Sequence, residues 1–281
     1  MSEILQVKRS LALTISGYYP QEEANAIARY LLEEVGGMPY PELILSGRKF
    51  TEKELTFLDE AARRLLNHEP VQQVLGYGYF GGLKLRITRD TLIPRPETEE
   101  LCERILERGG LMPGYKALDI GTGTGAIALF LKSREPFAEV SAIDVDIKAL
   151  KVARQNARDN DLEVSFHRMN LLQYKSLGTF ELIVSNPPYI LPSEREAMEP
   201  HVLDYEPSKA LFVPEEDPIL FYRLILEKVA PDLAPGGLVA LELNPLTADR
   251  VLELYTGAGF EANVEEDQYG RERFLFAERL S

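Results

Sequence analysis

The sequence predicts an α/β fold: a doubly wound, mostly parallel sheet of seven strands, preceded by a small N-terminal helical domain. From Tyr115 onward, short apolar runs alternate with stretches of helical length, an order typical of a parallel sheet with helices on both faces. Before Pro70, the apolar residues recur at helical spacing instead. We therefore expect a helical domain at residues 1–74, a hairpin connector at 75–96 and a sheet domain at 97–281.

The N-terminal part carries start and stop signals of short helices. One apolar stripe ends at Gly36 and Gly37, and Thr51 followed by Glu54 has the spacing of a capping box that begins another helix. In residues 71–92, glycines separate aromatic and aliphatic residues, which indicates a β-hairpin. A helix should then begin near Glu97, because proline fits the first turn of a helix and acidic residues suit its positive end.

The sheet domain is predicted from five apolar runs and a final pair of strands that forms an antiparallel edge hairpin. The expected strands lie at 117–118, 140–143, 164–166, 182–184, 238–243, 262–264 and 273–277. The expected helices lie at 126–132, 148–160, 218–229 and 246–258. Because the first five strands alternate with helices, they should run parallel and end at one edge of the sheet.

The composition is that of a globular protein with a sizeable core. Of 281 residues, 45% are hydrophobic and 27% charged, so the core requires neither a metal nor a membrane. The single cysteine, Cys102, lies in an apolar helical pattern and is interpreted as a core residue, and three histidines without a Cys/His cluster indicate no metal site.

Residues 1–10 lack the apolar stretch of a signal peptide and no segment has the length of a membrane span, so we expect a cytoplasmic location and no membrane partner.

The formal net charge of −14 bears on possible partners. Proteins that capture DNA or RNA do so largely with Lys and Arg side chains that neutralise phosphates. The sequence has no Lys/Arg-rich run and no interleaved aromatic residues of the kind that grip single strands. Nucleic acid is therefore disfavoured as the main ligand, although the net charge does not exclude a local basic patch.

A glycine-rich turn, Asp119-Ile120-Gly121-Thr122-Gly123-Thr124-Gly125, follows the first strand of the predicted sheet. Glycine lets the backbone turn sharply and approach a ligand closely, and the helix that opens behind the turn presents free amide groups. Asp144 ends the next strand, about 20 residues further on, where a carboxylate can accept both hydroxyl groups of a ribose. The pairing predicts a cofactor that contains adenosine.

The segment Asn186-Pro187-Pro188-Tyr189 closes the apolar run 182–184 at the same predicted edge of the sheet. Two prolines can simply end a strand. Here, however, the Asn186 and Pro187 oxygens can accept two N–H bonds of a planar nitrogen while Tyr189 packs on its plane, which orients a poor nucleophile toward an electrophile. We expect Asn186, Pro187 and Tyr189 to be catalytic and all four residues to contact substrate. With a glycine spacing unlike that of dinucleotide folds, this favours S-adenosylmethionine over NAD.

On these motifs and several others, the chain resembles the HemK/PrmC family of glutamine-N5 methyltransferases, which modify peptide chain release factors. The most specific part is Ile93-Pro94-Arg95-Pro96-Glu97-Thr98-Glu99. Similar elements also occur at Glu69-Pro70, Leu75-Gly76, Glu206-Pro207, Ala210-Leu211 and Gly270-Arg271-Glu272-Arg273. The resemblance implies methylation of the glutamine in the Gly-Gly-Gln loop of a release factor, with S-adenosylhomocysteine as a product and with a helical domain that helps to bind the release factor.

The resemblance also carries roles onto single residues. Relatives often have Asp and an aromatic residue where this chain has Asn170 and Leu171, so we expect Asn170 to bond the adenine amine and Leu171 to give only apolar cover. Arg95 is expected either to order the entrance beside the substrate glutamine or to pair with Glu99 at the helix start. The expected cofactor contacts are Asp119, Gly121, Thr122, Gly123, Thr124, Gly125, Asp144, Asn170, Leu171 and Asn186.

Two alternatives remain open at this point. One is an amino methyltransferase acting on a base of DNA or ribosomal RNA, because adenine N6 presents a similar planar nitrogen. It would need a basic face or a base-flipping apparatus, and the sequence shows neither. The other is a module that only binds an adenosine ligand. The release factor is the expected partner, and no feature of the sequence demands more than a monomer.

Overall fold

A computed structural model describes residues 3–280, and the chain forms two compact units. The first comprises Met1–Gly76 and Pro200–Tyr205, and the second comprises Tyr77–Glu199 and Glu206–Ser281. The predicted hairpin falls within the second unit, and its role as a connector stays a prediction. No helix in the described part of the chain combines the length and the apolar character needed to cross a bilayer.

The elements follow the predicted order. The helices are α1 (Glu3–Ile15), α2 (Gln21–Gly36), α3 (Tyr40–Leu45), α4 (Glu52–Leu66), α5 (Val71–Leu75), α6 (Pro96–Glu107), α7 (Ala126–Arg134), α8 (Ile147–Asp159), α9 (Pro200–Tyr205), α10 (Ser208–Leu211), α11 (Leu220–Leu224, followed by a π-helical turn at Ile225–Val229) and α12 (Ala248–Gly257). The strands are β1 (Tyr77–Phe80), β2 (Leu83–Arg86), β3 (Lys116–Ile120), β4 (Glu139–Asp144), β5 (Ser165–Arg168), β6 (Phe180–Ser185), β7 (Leu233–Glu242), β8 (Phe260–Glu266) and β9 (Glu272–Arg279).

The large sheet has seven strands in the order β5-β4-β3-β6-β7-β9-β8. Strands β3 to β7 are parallel, while β9 pairs antiparallel with both β7 and β8. The predicted fold class is confirmed, including the antiparallel edge hairpin. Two apolar cores, one containing residues of α6, α7 and α8 and the other residues of α11 and α12, include side chains that alternate along the same central strands. This is the doubly wound arrangement, in which helices cover both faces.

The first unit has an apolar core of its own, built mainly by α1, α2 and α4. The predicted capping box is present, because Glu54 N donates to Thr51 Oγ1 at 3.3 Å and Thr51 N donates to Glu54 Oε2 at 2.8 Å. The hairpin prediction began too early, since residues 71–75 form helix α5. Pro70 precedes that helix, and Gly76 ends it with a φ of 80°.

Candidate active site

A pocket lies in the second unit at the carboxyl ends of β3, β4, β5 and β6. The strand order reverses between β3 and β6, because the chain proceeds from β3 outward to β5 before β6 pairs with the other side of β3. Open α/β sheets bind ligands in the crevice at this point. The predicted site residues that line the pocket are Gly121, Gly123, Asp144, Asn170, Leu171, Asn186, Pro187 and Pro188.

The glycine loop presents open backbone to the pocket. Gly121 and Gly123 have φ values of 74° and 55°, and a Cβ added to Gly121 would meet no atom within 4 Å. The loop is tied to the end of β4, because the amides of Gly121 and Thr122 donate to the Ile143 carbonyl at 2.9 and 3.1 Å. A ligand can therefore approach this backbone more closely than any residue with a side chain would permit.

Asp144 ends β4 and is held by two backbone amides. Its Oδ2 accepts from Gly123 N at 3.0 Å, and its Oδ1 accepts from Asp146 N at 2.8 Å. Burial raises the pKa of Asp144, while these two hydrogen bonds act to lower it. Each carboxylate oxygen keeps a further lone pair, so the fixed side chain can accept from two adjacent hydroxyl groups of a ribose.

Four predicted cofactor residues, Asp119, Thr122, Thr124 and Gly125, are not among those that line the pocket. The structure gives two of them a role in shaping the loop: Thr122 Oγ1 donates to Asp119 Oδ2 at 2.6 Å, and Ala128 N donates to the same oxygen at 3.2 Å. Gly125 has a φ of 86°, and a Cβ there would lie 3.2 Å from the Ala153 Cβ, so glycine permits close packing on α8. Direct contact of these residues with a cofactor stays a prediction.

Thr124 is joined to the hairpin through the fully buried side chain of Asn156 in α8. Asn156 Nδ2 donates to the Thr124 carbonyl at 2.9 Å, and its Oδ1 accepts from Arg86 N in β2 at 2.7 Å. Buried amides require such partners. The sequence analysis did not identify Asn156, which connects the glycine loop, α8 and β2.

Asp119 has an unusual electrostatic position. It is 1% exposed, and its Oδ1 has no hydrogen-bond partner among the described residues. Burial raises the pKa of Asp119 to about 7. An ordinary aspartate in the unfolded chain titrates near 4, so between these two values the folded state retains a proton that the unfolded state has lost. The contribution of Asp119 to stability therefore falls as the pH rises through this window.

We expect Asp119→Asn to remove this contribution. The asparagine oxygen can still accept from Thr122 and Ala128, but the side chain does not titrate. The difference in free energy of unfolding, variant minus wild type, should therefore rise by about 2 kcal/mol as the pH increases from 5.5 to 7.5. Urea denaturation of both proteins across this range measures the gain. A difference between the two proteins that does not change with pH would contradict the prediction.

Asn170 and Leu171 follow β5 and form the end of the pocket together with Met169. Asn170 Oδ1 accepts from Leu172 N at 2.9 Å and so caps a short 3-10 helix. Met169 and Leu171 also pack against one of the two cores of the sheet. This end thus combines one polar side chain with apolar cover, and its contacts with adenine stay a prediction.

Asn186, Pro187 and Pro188 follow β6 and line the pocket. The Asn186 side chain is oriented by its nitrogen, because Nδ2 donates to Thr98 Oγ1 at 3.0 Å. Within residues 3–280, no donor of the chain bonds to Asn186 Oδ1 or to the Pro187 carbonyl oxygen. The arrangement leaves two acceptors for the two N–H bonds of a ligand.

Tyr189 was predicted to pack on the plane of the substrate, but it is not among the residues that line the pocket. Its hydroxyl donates to Glu242 Oε1 at 2.9 Å, and its carbonyl accepts from Asn244 Nδ2 at 3.0 Å. Its ring packs against the core that contains residues of α11 and α12. Tyr189 therefore anchors the segment that carries Asn186, and a contact with substrate stays a prediction.

Two residues beside Asn186 were missed by the sequence analysis: Thr98 and Glu242. They are 4% and 1% exposed, and Thr98 Oγ1 donates to Glu242 Oε2 at 2.6 Å. Burial raises the pKa of Glu242, and the hydrogen bonds from Thr98 and Tyr189 act to lower it. The sequence held one signal for each residue. For Glu242, a carboxylate within the apolar run 238–243 must find buried partners. For Thr98, the signal was its position inside the segment 93–99.

Arg95 forms its ion pair with Glu206, and not with Glu99 as one expectation held. Glu206 is buried, and its other oxygen accepts from Ile93 N at 2.9 Å. The two residues thereby fix the backbone that leads into α6. Arg95 does not line the pocket, and its role at the entrance for substrate stays a prediction.

Several further lining residues come from segments that the sequence analysis did not assign to the site. Two of them are in ion pairs: Asp90 with Lys148 at 3.1 Å, and Lys209 with Asp146. Asp146 also begins α8, because its side chain accepts from Lys148 N at 2.9 Å. Others are Thr91, Leu92, Ala210, Phe221 and Ile225.

The strand order, the glycine loop and the carboxylate at the end of β4 place the chain in the doubly wound α/β class, and a family model identifies a methyltransferase domain in it. The family model described as Methyltransferase small domain matches residues 98–201, and the model described as PrmC N-terminal domain matches residues 13–76. The crystal structure of a methyltransferase from Pyrococcus furiosus has a TM-score of 0.53 and 23% identity, covering 79% of this chain and 100% of that one. This likeness shows the fold.

Curated relatives match almost the whole chain. The release factor glutamine methyltransferase of Bacteroides thetaiotaomicron is 36% identical over 275 residues, covering 95% of this chain and 96% of the relative. That of Deinococcus radiodurans is 38% identical over 277 residues, covering 98% and 97%. The chain therefore belongs to the release factor glutamine methyltransferase family, and the resemblance read from the sequence is confirmed.

Proposed function

We propose that the chain transfers a methyl group from S-adenosylmethionine to the side-chain amide nitrogen, N5, of the glutamine in the Gly-Gly-Gln loop of a peptide chain release factor. Relatives in the family are named release factor glutamine methyltransferases, and a methyltransferase domain matches residues 98–201 of this chain. One observation supports the proposal most directly. Asn186 and Pro187 line the same pocket as Asp144, and each carries an oxygen that accepts from no donor of the described residues. A glutamine amide has two N–H donors to match them.

The pocket fits S-adenosylmethionine. Asp144 would accept the ribose hydroxyls, the open backbone at Gly121 and Gly123 would allow close approach of the methionine part, and Asn170 with Leu171 would cover the adenine. When bound, this cofactor supplies a methyl group on a positively charged sulfonium. The proposed second product is S-adenosylhomocysteine.

Asn186 and Pro187 are proposed to hold and orient the substrate nitrogen. The lone pair of an amide nitrogen is delocalised into the carbonyl group, so the nitrogen is a weak nucleophile. Acceptors on both N–H bonds fix the direction of that lone pair and stabilise the positive charge that develops on nitrogen during transfer. Because these oxygens are already oriented by the fold, no reorganisation is required at the moment of reaction. The surplus proton leaves the nitrogen after transfer.

The helical domain at residues 1–74 is proposed to help bind the release factor. It is a separately packed unit with its own core.

Release factors are the proposed substrates in preference to nucleic acids, since a net charge of −14 opposes phosphate binding. A monomer is proposed, because no feature of the sequence demands more than one chain. The cytoplasm is the proposed location, because release factors act there.

The proposal is tested with labelled S-adenosylmethionine and a purified release factor. We expect one methyl group per release factor, and mass spectrometry of the digested product should locate it on the loop glutamine. A release factor with that glutamine replaced by alanine is the matched control and should take no label. Unchanged labelling of the control would contradict the proposal. Preferential labelling of DNA or ribosomal RNA would favour the nucleic-acid alternative instead.

A further inference from the structure

The carboxamide of Asn186 is linked to a buried carboxylate through a single hydroxyl group. Thr98 lies between the two, bonded to Asn186 Nδ2 on one side and to Glu242 Oε2 on the other. We propose that Thr98 and Glu242 are positioning residues, which orient Asn186 so that its oxygen and not its nitrogen faces the substrate amide. The inference rests on the proposed function and adds to it the means by which the acceptor is set.

The orientation follows from counting protons. A threonine hydroxyl has one proton, and an ionised carboxylate can only accept. At 2.6 Å, the Thr98 proton is committed to Glu242 Oε2, while Glu242 Oε1 is occupied by the hydroxyl of Tyr189. Thr98 Oγ1 then has only lone pairs to offer toward Asn186, so it must face the amide nitrogen. The Asn186 oxygen is left for the pocket.

The buried setting gives this chain of bonds its strength. Thr98 and Glu242 are almost fully enclosed, so solvent cannot replace a lost partner. An unsatisfied buried polar group costs about 1–3 kcal/mol, which disfavours the flipped carboxamide by a similar amount. A flipped Asn186 would present an NH₂ group to the NH₂ group of glutamine. Two donors would face each other, and one N–H bond of the substrate would lose its acceptor.

The two contacts of Thr98 also come from different parts of the second unit. Thr98 is in the first turn of α6, Asn186 follows β6, and Glu242 ends β7. The two strands are neighbours in the sheet, and their register pairs Ser185 with Leu241. The carboxylate thus lies on a rigid element beside the residue that it orients. This placement suits a positioning role better than a direct contact with substrate, and neither Thr98 nor Glu242 lines the pocket.

The test compares Thr98→Val, which keeps the shape but removes the hydroxyl, with Thr98→Ser, which keeps the hydroxyl. We expect Thr98→Val to lower kcat for release factor methylation by about 10–100-fold, the scale of a misplaced reacting group. Thr98→Ser should stay within about threefold of wild type, since its hydroxyl can make the same bonds. For both variants, KM for the release factor and Kd for S-adenosylmethionine should change by less than about threefold, because binding relies on other contacts.

The experiment distinguishes failure of the positioning role from failure of the proposed function. If wild type methylates the loop glutamine and Thr98→Val keeps its kcat, the positioning role is refuted while the proposed function stands. A Thr98→Ser variant as slow as Thr98→Val would also refute it, because a loss independent of the hydroxyl is structural. If wild type does not methylate the release factor, both are refuted. Thermal unfolding checks that the variants fold, and if Thr98→Val does not fold, Thr98→Ala takes its place in the comparison.

Discussion

Replacement of Asn186 by alanine should reduce kcat for methylation of a release factor by about 10³-fold, with little change in the affinity for S-adenosylmethionine. Removing one preorganised polar group at a reacting centre costs about 10²–10³ in kcat in other enzymes. Here the loss should reach the upper end, because the same group also orients the nucleophile. Asn186 lines the pocket, and its oxygen has no donor among the described residues, so its partner is expected to be the substrate.

Turnover kinetics and calorimetric titration with S-adenosylmethionine measure the two quantities separately. Asn263→Ala is a suitable control, because Asn263 is exposed on the edge strand β8 and its side chain bonds to Glu265 at 3.1 Å. It should behave as wild type in both measurements. Turnover of Asn186→Ala within tenfold of wild type would show that the Asn186 oxygen does not orient the substrate nitrogen. A binding module without activity would show no turnover in wild type either.

The second large effect is expected at Asp144, and it should appear in cofactor affinity. Hydrogen bonds to a charged group contribute about 1.5–3 kcal/mol each, so Asp144→Ala should weaken binding of S-adenosylmethionine by about 10²-fold or more. The substitution also removes the acceptor of Gly123 N and Asp146 N, which loosens the glycine loop. Asp144→Asn keeps one acceptor oxygen and the shape of the side chain, so it should lose about tenfold.

Calorimetric titration gives the dissociation constants, and Asp59→Ala serves as the control because Asp59 is an exposed aspartate on α4 of the first unit. The order of affinities should be wild type and Asp59→Ala, then Asp144→Asn, then Asp144→Ala. Equal affinity of wild type and Asp144→Ala would place the cofactor elsewhere on the molecule.

Much of the fold was predictable from local patterns. The five parallel strands and the capping box at Thr51 were found because apolar runs and capping residues report directly on nearby backbone. The start of the hairpin was misplaced because the run 71–75 is compatible with either structure, and the choice is made by Pro70 and Gly76 at its ends. Inclusion of Pro200–Tyr205 in the first unit was not predictable, since it depends on contacts distant in sequence.

The candidate site was predictable where function requires a particular residue at a strand end. Gly121, Asp144 and Asn186 follow strands of one parallel sheet, so their meeting at one edge is a consequence of the predicted fold. Thr98 and Glu242 could not be placed in the same way. They meet only because α6 begins beside the end of β7, a packing detail that no local pattern encodes.

The three backbone bonds of Asn156 have a mechanical consequence. Its side chain bonds to both the amide and the carbonyl of Arg86 in the hairpin and to the carbonyl of Thr124 in the glycine loop. Fraying of the hairpin would therefore remove two of these three bonds and loosen the side chain that holds the Thr124 carbonyl, although neither hairpin strand lines the pocket. The small two-stranded sheet thus works as a brace, and damage to it would be transmitted to the glycine loop.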